Sequence, residues 1–341
     1  MSYSNISIIL PIRNESTSIE CCLESILFQD YPFERMEILI ADGISSDNTR
    51  AIINRFAILH PQLKIQVLDN PGRIVPTGIN IALREAKGDI ILRVDGHTLI
   101  APDYVRQCVE SLQRTKADNV GGRMSAIGTN LFGEAVALAT STSFGIGGGR
   151  FHFSEKEEWV DTVYMGAWPR QVFEKIGLFD EELVRDQDDE FNYRLRAAGG
   201  KILLNPDIKS EYTVRSAPGS LWKQYYQYGF WKVRVLQKHP RQMSLRQFAP
   251  PTFVLGLLIS ILLAFHPVIC SLALVVPGSY LLANLLASIY TAAKRGWKYL
   301  PLLPLIFAIL HLSYGVGFLI GLVKFWNRWG DKKGKTPVWK N

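Results

Sequence analysis

The sequence predicts an α/β domain built on a mostly parallel central sheet, followed by C-terminal transmembrane helices. Three observations carry this. Strand-like and helix-like patterns alternate through the first hundred residues, polar side chains collect where the strands end, and two long stretches, Pro250 to Ala293 and Leu300 to Phe325, are almost free of charge.

Taken in order, Asn5 to Leu10 reads as a buried strand closed by Pro11. A helix follows, with Ser16, Thr17 or Ser18 as its cap and Ile19, Leu23, Ile26 and Leu27 at helical spacing. Met36 to Ala41 is a second strand, and the turn Asp42 to Thr49 opens a helix that runs to about His60. Lys64 to Leu68, a helix from Thr77 to Ala86 and a strand from Asp89 to Val94 complete the alternation. Ligands of such sheets sit beyond the carboxyl ends of the strands. Those ends carry Arg13, Asn14 and Glu15, then Asp42, then Asn70 to Arg73, then Asp95 to His97. Residues 101–212 are less regular, with a glycine-rich stretch at Gly145 to Arg150 and a helix from Asp186 to Ala198 closed by Gly199-Gly200.

Charge is split unevenly. Residues 1–212 hold 22 Lys and Arg against 30 Asp and Glu, while residues 213–341 hold 16 against one, Asp331. An acidic body with a basic, apolar tail points to an anionic membrane surface, and the apolar stretches argue against nucleic acid as the partner. Residues 218–248 interleave cations with Trp222, Tyr225, Tyr226, Tyr228, Phe230 and Trp231, the composition of an interfacial helix. A span needs about 20 apolar residues. The first apolar stretch therefore holds two spans turning near His266-Pro267, and the second holds one, for which a re-entrant path stays open. Lysines and arginines lie before, between and after the stretches, so charge asymmetry does not orient three spans. The expected domains are 1–217, 218–249, 250–326 and a basic tail, 327–341. Four cysteines without a CxxC pair suit a reducing compartment. The run Ile6 to Leu10 is too short for a secretory h-region, which puts the first domain in the cytoplasm.

Four constellations could carry chemistry, and each has an ordinary explanation when taken alone. Asp95-Gly96-His97 is either a simple turn or a pair of ligands holding a divalent cation against a diphosphate; the carboxylate suits Mg²⁺ and the imidazole tilts the choice to Mn²⁺. Asp42 is either a helix cap or an acceptor for a pyrimidine base or ribose. Pro11 to Glu15 is either a loop or a grip on the nucleoside. Asp186 to Glu190 is either a dipole-favoured first turn or an acid cluster that lifts one carboxyl towards general-base duty, with Arg185, Arg194 and Arg196 opposing the lift.

Their order is specific as a set. Pro-x-Arg-Asn-Glu at 11–15, Asp-Gly-x-Ser-x-Asp-x-Thr at 42–49, Asn80, Ala86 to Asp89 ahead of Asp95-Gly96-His97, Gly177 to Glu181, and Asp188 ahead of Arg194 to Gly199 together resemble the family 2 inverting glycosyltransferases, whose fold is called GT-A. Within that family the chain is most similar to succinoglycan-type exopolysaccharide glucosyltransferases, which also carry a C-terminal membrane part. The resemblance implies a GT-A nucleotide-sugar-binding domain and transfer from a UDP-sugar, with glucose the expected sugar, to a lipid-linked or polysaccharide acceptor. It implies donor contacts at Pro11, Arg13, Glu15, Asp42, Asn80 and Asp95, a Mg²⁺ or Mn²⁺ cofactor at Asp95 and His97, and Asp188 as the catalytic base. Trp168, Arg170, Arg194 and Arg234 are candidate acceptor or phosphate contacts. His97 stands where the family has a second Asp and Gln187 where it has Glu, so Asp189 stays open as an alternative base. The expected setting is a multi-pass protein of the cytoplasmic membrane with its catalytic domain facing the cytoplasm. A polyprenyl-phosphate glycosyltransferase and a non-catalytic nucleotide-sugar-binding scaffold are the rivals. A polymerising synthase is disfavoured because no Gln-x-x-Arg-Trp motif is present.

Overall fold

The computed structural model describes residues 3–147, 149–331 and 334–339. Gly148, within the glycine-rich stretch, lies outside them, as do four residues of the tail. The chain divides into two compact units: residues 1–125, 149–212 and 333–341 form the first, and residues 126–148 and 213–332 the second.

The first unit is a sheet covered on both faces. Its strands are β1 (Ile6–Ile12), β2 (Met36–Asp42), β3 (Lys64–Asp69), β4 (Ile90–Arg93), β5 (Thr98–Ile100), β6 (Asn119–Ile127), β7 (Glu158–Trp159), β8 (Tyr164–Pro169) and β9 (Ile202–Thr213). The order across the sheet is β3-β2-β1-β4-β8-β6-β9-β5, with β7 on β9. The expectation of parallel pairing holds for β3-β2-β1-β4. Beyond β4 the sheet is mixed: β8 runs antiparallel to β4 and to β6, and β5 and β7 run antiparallel to β9. Parallel neighbours need a crossover helix, and the less regular sequence after residue 100 does not keep up that alternation.

Side chains alternate across the pleat. Ile8, Leu10, Ile38, Ile40 and Leu92 enter one core with Ile19, Leu23 and Ile26 of α1 (Ile19–Leu27), Ile53 of α2 (Thr49–Leu59) and Val105 of α4 (Tyr104–Thr115). Ile9, Leu39, Ala41 and Ile91 enter the other, with Ile79 and Leu83 of α3 (Val75–Glu85), Phe173 of α7 (Gln171–Ile176) and Phe191 of α8 (Gln187–Ala197). Burial on both sides explains why β1 and β2 read as unbroken apolar runs. α1 starts after Ser18, but that hydroxyl makes no cap; it donates to Glu15 Oε2 at 3.0 Å. α8 stops where Gly199 turns to φ +85°, a conformation glycine adopts without strain.

The second unit is helical: α5 (Leu131–Thr140), α6 (Ser143–Ile146), α9 (Pro218–Lys238), α10 (Leu245–Leu263), α11 (Val275–Arg295) and α12 (Leu303–Lys324). As expected, three helices are long and apolar enough to cross a membrane, and they include α10, α11 and α12. The turn between the first two falls at His266-Pro267. His311 of α12 contacts the Phe144 carbonyl of α6 through Nε2 at 2.8 Å, and Lys298 and Tyr299 donate to Glu134 of α5 at 3.0 and 2.8 Å.

Candidate active site

The turns after β1, β2 and β3 hold Asn14, Ile44 and Arg73 at φ 56°, 56° and 57°, and Asp186 before α8 at 61°. Non-glycine residues pay for left-handed backbone, most of all β-branched Ile44, so such turns persist only where neighbours fix them. Here Asn14 Oδ1 accepts the Ser46 N–H at 2.9 Å and Ser45 Oγ accepts the Asn14 N–H at 2.8 Å, locking the first two turns together.

Asp42, at the end of β2, is fully buried. It accepts the Ser45 N–H at 3.2 Å, the Ser45 hydroxyl and the Arg50 guanidinium. Pro11 is buried on β1, and the stem of exposed Arg13 covers Gly43. Glu15 turns both oxygens to the protein: Oε2 accepts from Ser18, and Oε1 lies 3.1 Å from His97 Nδ1. Gly96 makes that approach possible, because a Cβ there would come within 2.8 Å of Ile12 and 3.2 Å of Glu15.

Arg93 organises the centre. It is the last residue of β4, 4% exposed, and its Nε donates to Asp95 Oδ1 at 2.8 Å while a terminal nitrogen donates to Asp188 Oδ1. One buried guanidinium thus brings Asp95 and Asp188 into a single hydrogen-bonded set. Partial burial raises the Asp188 carboxyl from its ordinary value; Arg93 opposes this, and Asp95 and Asp189 add to it. The opposing cation is therefore Arg93 from β4, which the local sequence around Asp188 does not announce. Tyr164, on β8, shares a 2.7 Å hydrogen bond with Thr98 and reaches Asp95 Oδ2 at 3.4 Å. Tyr212 sits edge-on to both His97 and Tyr164. Gln187, beside Asp188, has its amide oxygen buried without a hydrogen-bond partner among the described residues.

Other candidates have partners outside this set. Asn80 Nδ2 donates to the Phe179 carbonyl at 2.9 Å and its Oδ1 accepts the Phe179 N–H at 2.9 Å, so it holds the 177–181 loop. Trp168, expected on an acceptor loop, is a core residue, 2% exposed and packed edge-on against Phe173, Phe179 and Phe191. Arg170 donates to the carbonyls of Gly88 and Ala86. Arg194 donates to Glu190 and to the carbonyls of Ile176 and Leu178. Asn80, Arg170 and Arg194 thus brace loops by partnering backbone groups, and Trp168 fills the aromatic core. Arg234 belongs to the second unit, fully buried on α9 and bonded to Gln237 and the Arg328 carbonyl.

Among known proteins, residues 7–177 match glycosyl transferase family 2. The fold and this match define a glycosyltransferase, and the chain belongs to that family. It is 30% identical over 323 residues to the succinoglycan biosynthesis protein ExoA of Rhizobium meliloti (strain 1021), covering 94% of this chain and 96% of the relative. It is 31% identical over 326 residues to the dolichyl N-acetyl-alpha-D-glucosaminyl phosphate 3-beta-D-2,3-diacetamido-2,3-dideoxy-beta-D-glucuronosyltransferase of Methanococcus voltae, covering 94% and 97%. Among solved structures, the mannosyltransferase PcManGT of Pyrobaculum calidifontis, in complex with GDP-Man and Mn²⁺, superposes with a TM-score of 0.60 at 20% identity over 93% of this chain and 88% of its own, a likeness of fold.

Proposed function

We propose that the chain transfers a sugar, glucose in the first instance, from a UDP-sugar to a hydroxyl of a lipid-linked or polysaccharide acceptor, inverting the anomeric configuration. The observation that carries this is Arg93 joining Asp95 and Asp188: a donor-side carboxylate just past β4 and a candidate base in the first turn of α8 meet on one guanidinium. The two curated relatives support the acceptor class, since one acts in succinoglycan biosynthesis and the other bears the name of a transferase using a dolichyl-phosphate-linked sugar. The second name favours a sugar already carried on the lipid over the bare polyprenyl phosphate.

The residues fit a divalent cation of the Mg²⁺ or Mn²⁺ kind. Among the described residues no cluster of three or more His, Cys, Asp and Glu could hold an ion alone. Asp95 with His97 is a two-ligand set of the sort completed by substrate phosphates. His97 also has the carboxylate partner on Nδ1 that metal-binding imidazoles characteristically use. When bound, the cation would neutralise charge on the departing diphosphate.

The chain's own groups supply the rest. Asp42 and the turn at Pro11 to Glu15 hold the nucleoside. Asp188, fixed through Oδ1 by Arg93, uses its other oxygen to take the acceptor's hydroxyl proton as that oxygen attacks the anomeric carbon. The bond from that carbon to the phosphate oxygen breaks on the opposite face, and UDP leaves with the electron pair. The buried Gln187 amide oxygen is an acceptor suited to a second sugar hydroxyl. The catalytic unit faces the cytoplasm from a multi-pass anchor. The test is UDP release from UDP-sugars by membranes supplied with lipid-linked oligosaccharides. Asp188→Asn should lower turnover roughly 10²–10⁴-fold with donor binding retained; near-normal turnover would remove Asp188 from the role.

A further inference from the structure

The chain leaves the first unit after Tyr212 and returns to it with its tail. The return is made by defined bonds. The Leu178 N–H donates to the Pro337 carbonyl at 3.0 Å and the Glu181 N–H to the Lys335 carbonyl at 2.9 Å. The Lys335 N–H donates to Asp180 Oδ1 at 2.9 Å. Trp339 stacks on Phe173, with Arg170 over its ring. Between departure and return lie three helices each able to cross a bilayer. Every full crossing moves the chain to the opposite face. Three crossings would leave residues 334–339 across the membrane from the loop they bond, so the number of crossings is even.

Packing within the second unit points to the helix that does not complete a crossing. α9 carries Lys223, Lys232, Arg234 and Lys238 and is excluded from hydrocarbon, where central charges are costly and rare. α12 lies along it at backbone contact. A Cβ on Gly317 would fall 2.1 Å from the Tyr226 carbonyl, and one on Gly321 2.7 Å from the Phe230 carbonyl. Further on, Gln237 donates to the Phe325 carbonyl at 2.7 Å, and Arg234 pairs with Asp331 at 3.5 Å. From Gly317 at Tyr226 to Phe325 at Gln237 the contacts advance together, so the two helices run parallel; α12 also meets α10, where a Cβ on Gly315 would fall 2.5 Å from the Pro250 carbonyl, and α11, where Tyr280 and His311 share a 3.0 Å hydrogen bond and Asn284 donates to the Pro304 carbonyl at 3.0 Å. Half of the apolar window of α12 is buried, against 17% for α10 and for the helix that includes α11.

We infer that only α10 and α11 cross the bilayer, as a hairpin, and that α12, packed on both of them as well as on α9, does not complete a crossing, so that the tail returns on the face occupied by the catalytic unit. Phe253 stacks on Tyr280 to join the two arms, and their outward Leu255, Leu258, Ile261, Leu281, Leu282 and Leu285 are exposed. At 1.5 Å per residue an arm of 19 residues spans about 28 Å, close to the ~30 Å hydrocarbon thickness. The hairpin also resolves the charge pattern. Arg246 begins one arm, Lys294 and Arg295 end the other, and the connecting residues 264–274 carry no Lys, Arg, Asp or Glu. With the crossings reduced to one pair, Lys298, Lys324 and Arg328 fall on the same face as these, as the positive-inside rule requires.

The test is vesicle labelling of the full-length protein with a membrane-impermeant maleimide, in a Cys270→Ser background. Exposed Cys21 reports the catalytic unit, and Val338→Cys, at a site 74% exposed, reports the tail when combined with Cys21→Ser. Both should label in inverted vesicles and neither in right-side-out vesicles. Labelling of the tail in the orientation opposite to Cys21 overturns the inference. Trypsin on the unsubstituted protein gives the same reading without a variant: a C-terminal epitope should be lost only in the orientation that also cuts the catalytic unit, and its loss in the other orientation sinks the hairpin.

Discussion

At the scale of single residues, the site depends on side chains that position other side chains. Glu15 was expected on the nucleoside, yet its carboxylate meets His97. If that contact fixes the imidazole for a cation, Glu15→Gln should weaken Mn²⁺ binding in the presence of UDP about 10–100-fold by calorimetry. The same change in a His97→Asp background should have little effect on the metal. Equal losses of UDP binding in chelator would instead assign Glu15 to the nucleoside. Asp47 gives a pH dependence with a definite sign. It accepts from Thr49 and Ser16 at the start of α2, which lowers its carboxyl to about 2 from the usual 3.8. A depressed carboxyl contributes stability above its unfolded value that disappears as pH falls from about 4 through about 2. Acid unfolding followed by circular dichroism should show that limb flattened in Asp47→Asn.

At the scale of elements, α8, which bears Asp188, is steadied from a distance. α3 reaches the 177–181 loop through Asn80, which satisfies both backbone groups of Phe179, and Arg194 of α8 grips the carbonyls of Ile176 and Leu178. Asn80→Ala leaves a buried N–H and a buried C=O without partners. That should cost about 2–4 kcal/mol, read as a lowered thermal midpoint of the detergent-solubilised protein, with donor affinity less affected than turnover. A purely donor-binding Asn80 would show the reverse: unchanged stability and weakened UDP.

At the scale of the whole molecule, the tail closes the chain on itself. Truncation after Asp331 removes its bonds to Leu178, Glu181 and Asp180 and the stack of Trp339 on Phe173. The expected outcome is normal membrane insertion with a thermal midpoint lowered by several degrees and reduced transfer, measured on the same membranes. An unchanged midpoint would make the tail a passenger.

What the sequence determined by itself was what depends on near neighbours. Unbroken apolar runs specified β1, β2 and β4 because parallel strands bury both faces, and uncharged lengths specified α10, α11 and α12. The turns at Glu15, Asp42 and Asp95 were legible because strand ends must change composition. Tertiary structure alone decided the antiparallel half of the sheet, the return of the tail and the partners of the charged groups. Arg93 reads as the polar end of an apolar strand until Asp188 arrives from 95 positions away, and Glu15 meets His97 across 82. Propensity and periodicity act over a few residues, whereas which charge meets which is set by how the sheet brings distant strand ends together.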